Sequence, residues 1–411
     1  MFDKPPPIIT LFNYGGGLRG IVPAQIMAHI EQDTGLRMAD MIDVFAGSST
    51  GAILNAALTL RNPENSSQPK YRARHLVRFY EREAERIFPP DRFRDLRGLI
   101  HDMNNRTMRI SRLNDVLNHG HYNPMNLGRA LKALYGDARL NDSLKSLIIS
   151  AYNIDGEQRR ITTDTGEIAA SPLHTRNNFM DTAGHALWMK NIKINGEIGA
   201  RHKTLDVSLY DAVMATTAAP TYFPCHHFQA RWPGHTHPHE YTAIDGSIFD
   251  SPAMTYLGTL KPHLLPGQDV IMIGLGTGFT NKSIKKEEWN RFGSLGVVDP
   301  VNDLPLINIF FHATESALLD TFEEEMKGNL FLFNKSLTVG RDAHFPSMQI
   351  DDGSPENMKK LRDFADAIIE ENRGRYQSVC DLLVRHHDNK KTWMEAVKPS
   401  RWGKLFSYFR R

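Results

Sequence analysis

Short apolar runs and amphipathic segments alternate along the first sixty residues. The β-branched run IITLF at residues 8–12 predicts a buried strand, and DVFA at residues 43–46 predicts a second one. The segments at residues 22–35 and 52–60 each have the apolar periodicity of a helix. A strand–helix–strand–helix order predicts a parallel sheet with right-handed crossovers, and therefore an α/β fold.

The later part of the chain continues this pattern with more punctuation. It predicts helices at residues 75–88, 124–135 and 208–219, strands at residues 241–246 and 269–278, and a hairpin in which residues 146–154 and 159–163 flank Asp155 and Gly156. Beyond about residue 280 the pattern is mainly helical. We therefore expect an α/β domain over residues 8–280 and a mainly helical C-terminal extension over residues 281–411, packed on that domain.

Composition narrows the class of protein. The 411 residues are 41% hydrophobic and 23% charged, and 49 Lys and Arg nearly balance 47 Asp and Glu, which predicts no nucleic-acid partner. The two cysteines, Cys225 and Cys380, match no disulfide framework. The N-terminal residues lack the pattern of a signal peptide, and no apolar run reaches about 18 residues, so the expected location is cytoplasmic or at a membrane surface. A protein exported by a specialised secretion system would have the same pattern, so non-classical export stays an alternative.

Two adjacent serines lie between glycines in VFAGSSTGAI, residues 44–53. The pattern G-x-S-x-G fits one register, Gly47 to Gly51, with Ser49 at its centre; Ser48 would need glycines where Ala46 and Thr50 stand. In a nucleophile elbow, a sharp turn from strand to helix exposes such a serine at the sheet edge. The position of this motif between a strand and a helix makes Ser49 the candidate nucleophile.

The glycine run GGGLRG also follows a strand and precedes a helix. Its backbone N–H groups are suited to stabilising an oxyanion. The spacing of Gly15, Gly17 and Gly20 fits the dinucleotide fingerprint as well, so a dinucleotide-binding oxidoreductase is the alternative. That fingerprint expects an acidic residue at the end of the second strand, where this chain has the serine motif instead.

A serine nucleophile needs a base, and two kinds of candidate occur. Histidines cluster with one cysteine in a Pro- and Gly-rich segment, which is read either as a surface loop or as a zinc site: Cys225, His226, His227, His235, His237 and His239. Asp245 ends an apolar strand and precedes Gly246, where an α/β sheet presents catalytic groups, although an ordinary Asp-Gly turn has the same pattern.

Taken together, GGGLRG, GSSTG, AVMATTAAPTYFP, IDGS and IGLGTG resemble the patatin-like phospholipases over about residues 8–280. The resemblance implies a three-layer α/β/α hydrolase with a mostly parallel sheet and a Ser–Asp dyad without a catalytic histidine. Its implied site residues are Ser49 as nucleophile, Asp245 as base, the amides of Gly15, Gly16 and Gly17 as oxyanion hole with Arg19 beside them, and the motif glycines Gly20, Gly47, Gly51 and Gly246. No metal or cofactor is implied. The chain departs from the family at Tyr14, where Asp is usual, and at Ser247, where Gly or Ala is usual.

The expected substrate is therefore a phospholipid or lysophospholipid, with a non-catalytic lipid-binding module as a further alternative. Residues 400–411, SRWGKLFSYFRR, add a second prediction. Trp402, Leu405, Phe406 and Phe409 fall on one helical face with cations around it, a pattern typical of a helix at an anionic membrane surface. The same pattern is also found where a terminal helix docks on its own domain.

Overall fold

A mixed eight-stranded sheet forms the centre of the molecule. The computed structural model describes residues 5–89, 122–155, 184–196, 204–279, 284–287, 289–290, 305–337 and 345–396. The strands are β1 (Ile8–Asn13), β2 (Val44–Gly47), β3 (Ser146–Asn153), β4 (His185–Asn191), β5 (His226–Ala230), β6 (His239–Asp245), β7 (Val270–Leu275) and β8 (Leu330–Phe333).

Helices of about one to seven turns and several 3₁₀ segments connect the strands. The α-helices are α1 (Ile21–Thr34), α2 (Met38–Met41), α3 (Ser49–Thr59), α4 (Ala73–Ile87), α5 (Pro124–Tyr135), α6 (Leu209–Thr216), α7 (Pro252–Thr255), α8 (Pro305–Met326), α9 (Pro355–Glu371) and α10 (Arg373–Ala396). The 3₁₀ segments are Gly17–Gly20, Leu140–Asp142, Ser247–Phe249 and Lys261–His263, and a π-helical segment, Tyr256–Leu260, continues α7.

The sheet is parallel in its larger part. The spatial order is β5-β6-β3-β2-β1-β7-β8, and β4 pairs with β3 in addition. Strands β8, β7, β1, β2 and β3 run parallel, whereas β4 and β6 are antiparallel to β3, and β5 is antiparallel to β6. Because β4 follows β3 along its length, β2 and β6 share the opposite edge of β3.

Alternate residues of the buried strands pack on the two faces of the sheet, as the two-residue period of a strand requires. On β1, Ile9 and Leu11 belong to a core with α1, α3, α4, α5, α6, α9 and α10, whereas Ile8 and Phe12 pack toward α7 and α8. The predicted α/β fold with three layers, α/β/α, and a mostly parallel sheet is confirmed.

Local signals account for several helix boundaries. Gly35 ends α1 in the left-handed conformation with φ 73°, which glycine adopts at low cost. The side chains of Asn123 and Ser208, at the N-cap positions, accept hydrogen bonds from the first turns of α5 and α6. These helices therefore begin where short-range chemistry places them.

Other predictions from the pattern need correction. Strand β8 lies inside the predicted helical extension and pairs with β7, so the sheet continues past residue 280. Strand β5 falls in the segment that was read as a loop or a zinc site. The antiparallel neighbours of β3 are β4 and β6, while residues 159–163, the predicted hairpin partner, lie outside the described residues. The division into two units at residue 280 stays a prediction.

Helix α10 is anchored on the amino end of β2. Its buried His386 lies 3.0 Å from the carboxylate of Asp43, and its Lys390 also contacts that carboxylate. Burial opposes the charge of Asp43, but the hydrogen bonds and charges of His386 and Lys390 lower its pKa to about 2. The pair joins the C-terminal helix to the end of β2 opposite the serine motif.

Candidate active site

The serine motif forms a sharp turn from β2 into α3. Ser49 is the first residue of α3 and has φ 48°, in the left-handed region that non-glycine residues rarely adopt. A Cβ at Gly47 or at Gly51 would overlap the carbonyl oxygen of Asn13 on β1, so these two glycines allow strand, turn and helix to pack closely. The geometry is that of a nucleophile elbow, as the motif predicted.

Strand register brings Asp245 to this turn. Gly47 on β2 pairs with Ile149 of β3, and Asp245 on β6 pairs with Ala151, two residues further along the same edge. Because β6 runs antiparallel to β3, the ends of β2 and β6 meet head to head. A Cβ at Gly246 would overlap the carbonyl oxygen of Ser150, so a glycine is required directly after Asp245.

The carboxylate of Asp245 is buried, and the Ser49 side chain is near enough to favour its charged form. The carboxylate accepts bonds from the backbone N–H and the hydroxyl of Ser247, at 2.7 Å and 2.6 Å. Burial raises the pKa of Asp245 to about 6, although the hydrogen bonds from Ser247 and the nearby Ser49 side chain favour the charged form. A carboxylate in this state can accept a proton near neutral pH.

The neighbouring serine has a carboxylate of its own. The Ser48 hydroxyl donates to Oδ1 of Asp250 at 2.9 Å, and the backbone N–H of Gly15 donates to Oδ2 at 2.5 Å. Ser48 is fully buried at 0% exposure. No sequence motif pointed to Asp250; its one signal was an acidic residue five positions after Asp245, in IDGSIFD.

The glycine loop at residues 15–17 is held by parts of the chain distant in sequence. Thr277 donates its hydroxyl to the carbonyl of Gly15 at 2.8 Å, and the N–H of Leu18 donates to the carbonyl of Ile350 at 2.8 Å. The carbonyl of Gly16 accepts from Arg19 N–H at 3.2 Å. Because a peptide unit is planar and trans, the N–H groups of Gly16 and Gly17 point away from these partners.

The predicted oxyanion hole is therefore divided. The Gly15 amide is bonded to Asp250 rather than open to a substrate. For the amides of Gly16 and Gly17, the structure records no hydrogen bond within the described ranges. Gly20 has a packing role, since a Cβ there would overlap the hydroxyls of Thr50 and Tyr80.

Arg19 lies two residues after the glycine loop and carries a positive charge. Its Nε is buried and has no hydrogen-bond partner in the described part of the chain. Burial lowers the pKa of Arg19 to about 10, while Tyr222 acts in the opposite direction. The side chain therefore stays positively charged at neutral pH.

The histidine segment forms a hairpin rim rather than a cluster. His226 on β5 bonds Asp211 at 3.0 Å, His227 bonds Thr242 at 3.1 Å, and His235 lies 2.9 Å from His239. Within the ranges that the structure describes, no group of three or more His, Cys, Asp or Glu side chains could hold a metal ion. Cys225 is exposed, Cys380 is buried, and both are free thiols.

A cavity of about 190 Å³ lies beside the site, between α5 and α6. Most of its walls are apolar, and they include Leu127, Met214 and Phe223.

The segment at residues 216–218 links the cavity to the serine and the aspartate. Thr217 and Ala218 line the cavity. The Thr216 hydroxyl accepts the Ser49 N–H at 2.8 Å, and the Ala218 carbonyl accepts the Asp245 N–H at 3.0 Å. The cavity wall is thus continuous with the loop that holds the serine and the aspartate.

The fold and the elbow define a three-layer α/β protein of the hydrolase class. The family model described as "Patatin-like phospholipase" matches residues 14–257, which is more than half of the chain. The chain belongs to this family, and family membership supports a lipid hydrolase activity.

Similar proteins extend over nearly the whole chain. Patatin-T5 of Solanum tuberosum is 25% identical and covers 96% of this chain, which spans 88% of that protein. A second protein of Solanum tuberosum, named "Probable inactive patatin-3-Kuras 1", is 24% identical, with 96% of this chain and 91% of that protein covered. The solved structure of VipD from Legionella pneumophila is 11% identical, with a TM-score of 0.28 over 88% of this chain and 67% of that one.

Two predictions about membranes meet the structure differently. None of the helices in the described ranges is both long and apolar enough to cross a bilayer. Residues 400–411, the predicted surface helix, lie outside the described residues.

Proposed function

We propose that the protein is a lipid acyl hydrolase that cleaves fatty acyl esters of phospholipids or lysophospholipids through a Ser49–Asp245 dyad. One observation carries the proposal: a serine at φ 48° on an elbow has its side chain beside a buried aspartate whose pKa is raised to about 6. A hydroxyl at its ordinary pKa is a weak nucleophile, and an adjacent base of this strength activates it.

In the first half of the reaction, the Ser49 oxygen attacks the carbonyl carbon of the ester while Asp245 accepts the hydroxyl proton. Negative charge develops on the carbonyl oxygen, and the N–H groups of Gly16 and Gly17 are the donors proposed to stabilise it. The positive charge of Arg19 stabilises the same region. The leaving alcohol takes the proton from Asp245; it is a lysophospholipid when the substrate is a phospholipid and a glycerophosphodiester when the substrate is a lysophospholipid.

In the second half, water attacks the acyl-Ser49 ester and gives its proton to Asp245. The bond from Ser49 to the acyl carbon breaks, the fatty acid leaves, and the proton returns to Ser49. No metal or cofactor takes part in this scheme. The apolar cavity beside Thr217 and Ala218 supports a substrate with a hydrocarbon chain, and we propose that it receives part of that chain.

Two alternatives are less well supported. A dinucleotide-binding fold expects an acidic residue at the end of the second strand, but β2 ends at Gly47 and runs directly into the serine elbow. A non-catalytic lipid-binding module has a precedent in the family, since one relative is named "probable inactive". The complete serine, aspartate and glycine set favours a hydrolase.

We also propose that residues 400–411 bind the membrane surface that holds the substrate. Co-sedimentation with neutral and anionic vesicles, at low and high salt, compares the full chain with a chain that ends at Pro399. Weaker binding of the shortened chain to anionic vesicles is expected. Equal binding by both chains would contradict the surface role, and loss of folding would favour docking of this segment on the domain.

The activity itself is tested by fatty acid release from a panel of phospholipids and lysophospholipids in the presence of EDTA. A fluorophosphonate probe then traps the nucleophile, and mass spectrometry of the digested protein locates the label. We expect release from at least one lipid and a label on Ser49. Release without any label on Ser49, or a label on Ser48, would contradict the proposed dyad.

A further inference from the structure

Asp250 links two loops that come from distant parts of the sequence. One carboxylate oxygen accepts the hydroxyl of Ser48 on the elbow at 2.9 Å, and the other accepts the N–H of Gly15 in the glycine loop at 2.5 Å. The partners are 202 and 235 residues away along the chain. Asp250 is 8% exposed; its bond to Ser48 is buried, and its bond to Gly15 is partly buried.

The local chain holds Asp250 in this place. The 3₁₀ segment Ser247–Phe249 follows the turn after Asp245, and Asp250 N–H donates to the carbonyl of Ser247 at 3.1 Å. The next residue, Ser251, caps α7. Asp245 and Asp250 are therefore the two ends of one rigid turn, and a shift of either would move the other.

The glycine loop lies close against this turn. A Cβ at Gly15 would lie 2.7 Å from the Ser247 hydroxyl and 3.3 Å from Oδ2 of Asp250. Asp250 holds the N–H of Gly15, and Thr277 holds its carbonyl on the other side. Both polar groups of this residue are thus restrained, and the plane that carries the Gly16 N–H is restrained with them.

We propose that Asp250 is a positioning residue for the hydrolysis: it sets the orientation of the Gly16 and Gly17 amides relative to Ser49 without contacting the substrate. This role rests on the proposed function. Removal of the carboxylate takes the acceptor from the partly buried Gly15 N–H and leaves the Ser48 hydroxyl with only the Ser247 hydroxyl at 3.3 Å, and the glycine loop is then free to rotate toward water. Amides that have lost their orientation stabilise the transition state less while the substrate binds as before.

The test compares steady-state kinetics of three variants with the wild type. Asp250→Ala is expected to lower kcat by about 10- to 100-fold with KM within about twofold, as for partial loss of an oxyanion donor. Asp250→Asn keeps an acceptor for Gly15 and is expected to restore kcat to within about threefold of wild type. Ser48→Ala, the matched control, removes the other partner and leaves the Gly15 bond in place.

A second measurement does not depend on lipid turnover. Hydrogen exchange of peptides that cover residues 14–20 is expected to speed up in Asp250→Ala and to stay near wild type in Ser48→Ala. If Asp250→Ala does not yield folded protein by circular dichroism, Asp250→Ser replaces it, and the same loss of kcat and of protection is expected.

The outcomes separate the two proposals. Unchanged kcat and unchanged protection in Asp250→Ala would overturn the positioning role, as would a rise in KM at constant kcat, which would indicate direct contact with substrate. A loss of kcat in Asp250→Asn as deep as in Asp250→Ala would also overturn it. A wild-type protein that hydrolyses no lipid would refute the proposed function, while hydrogen exchange still decides whether Asp250 holds the loop.

Discussion

The two serines of the elbow each face a carboxylate, yet the two Ser–Asp pairs differ in backbone conformation, exposure and hydrogen-bond partners. Ser49 has φ 48° and is 8% exposed, whereas Ser48 has φ −118° and is fully buried at 0%. Asp245 takes its bonds from Ser247 of its own turn, while Asp250 takes one from Gly15 across the site. A serine beside an aspartate is therefore not enough for catalysis; backbone conformation and access decide which hydroxyl can attack.

The largest expected effect comes from substituting each of the two serines singly by alanine. Ser49→Ala removes the proposed nucleophile and is expected to lower fatty acid release by at least about 10⁴-fold, since members of a catalytic unit act together. Ser48→Ala is expected to keep kcat within about threefold. Hydrolysis of the best lipid in the panel measures both, and comparable losses in the two variants would erase the distinction between the pairs.

The aspartates give the next largest difference. Asp245→Asn keeps the shape of the side chain but cannot accept the Ser49 proton, so kcat is expected to fall by about 10³- to 10⁴-fold. Asp250→Asn is expected to stay within about threefold of wild type. Circular dichroism confirms folding of each variant, and a severe loss in Asp250→Asn together with an active Asp245→Asn would reverse the assignment.

A pH profile sharpens the comparison further. Asp245 must be ionised to act as a base, and its pKa is raised to about 6 by burial. Below this pH the carboxyl is protonated, so log kcat/KM is expected to rise with a slope near one up to about pH 6 and then to level off. The profile of Ser48→Ala should have the same midpoint. A flat profile between pH 5 and about 8 would exclude Asp245 as the base.

The smallest effect is on stability. A carboxyl with a pKa raised in the folded state stabilises the fold fully below its ordinary pKa of 3.8, and this contribution is lost as pH rises through about 6. Asp245→Asn removes the cost of burying the charge and is expected to be more stable than wild type at pH 8, by at most about 3 kcal/mol. Asp250→Ala is expected to lose about 1–3 kcal/mol at the same pH, because the hydrogen bonds of Ser48 and Gly15 to a charged carboxylate are lost. Thermal unfolding at pH 5 and pH 8 compares them, and equal shifts in both variants would show that the two carboxylates are equivalent.

The sequence contained much of the fold and the central pair of residues. Strands β1 and β2 follow from short apolar runs, and helices α1, α3 and α4 follow from apolar periodicity. In each of these elements the local sequence alone shows which residues are buried. The elbow at Ser49 follows from glycines whose spacing reflects contact with Asn13. Strand β8 was missed because its four residues carry no period of their own, and its place beside β7 depends on tertiary packing.

The supporting residues of the site could not be predicted in the same way. Asp250 bonds Gly15 from 235 residues away, and nothing in the local sequence around either residue specifies that distance. Thr277 and Ile350 hold the glycine loop by a hydroxyl and a carbonyl, groups with no distinctive motif. Motifs mark the groups that react, whereas the groups that orient them are defined only by the folded chain.

The bond from Leu18 to Ile350 has a consequence for the timing of synthesis. Chains are made from the N-terminus at about 5–20 residues per second, so roughly 15 to 70 s separate these two residues on the ribosome. In the last part of this interval, after residue 245 has been made, Ser49 and Asp245 both exist, but the glycine loop lacks the carbonyl that restrains it. We expect a nascent chain to become competent for hydrolysis only after residue 350 has left the exit tunnel.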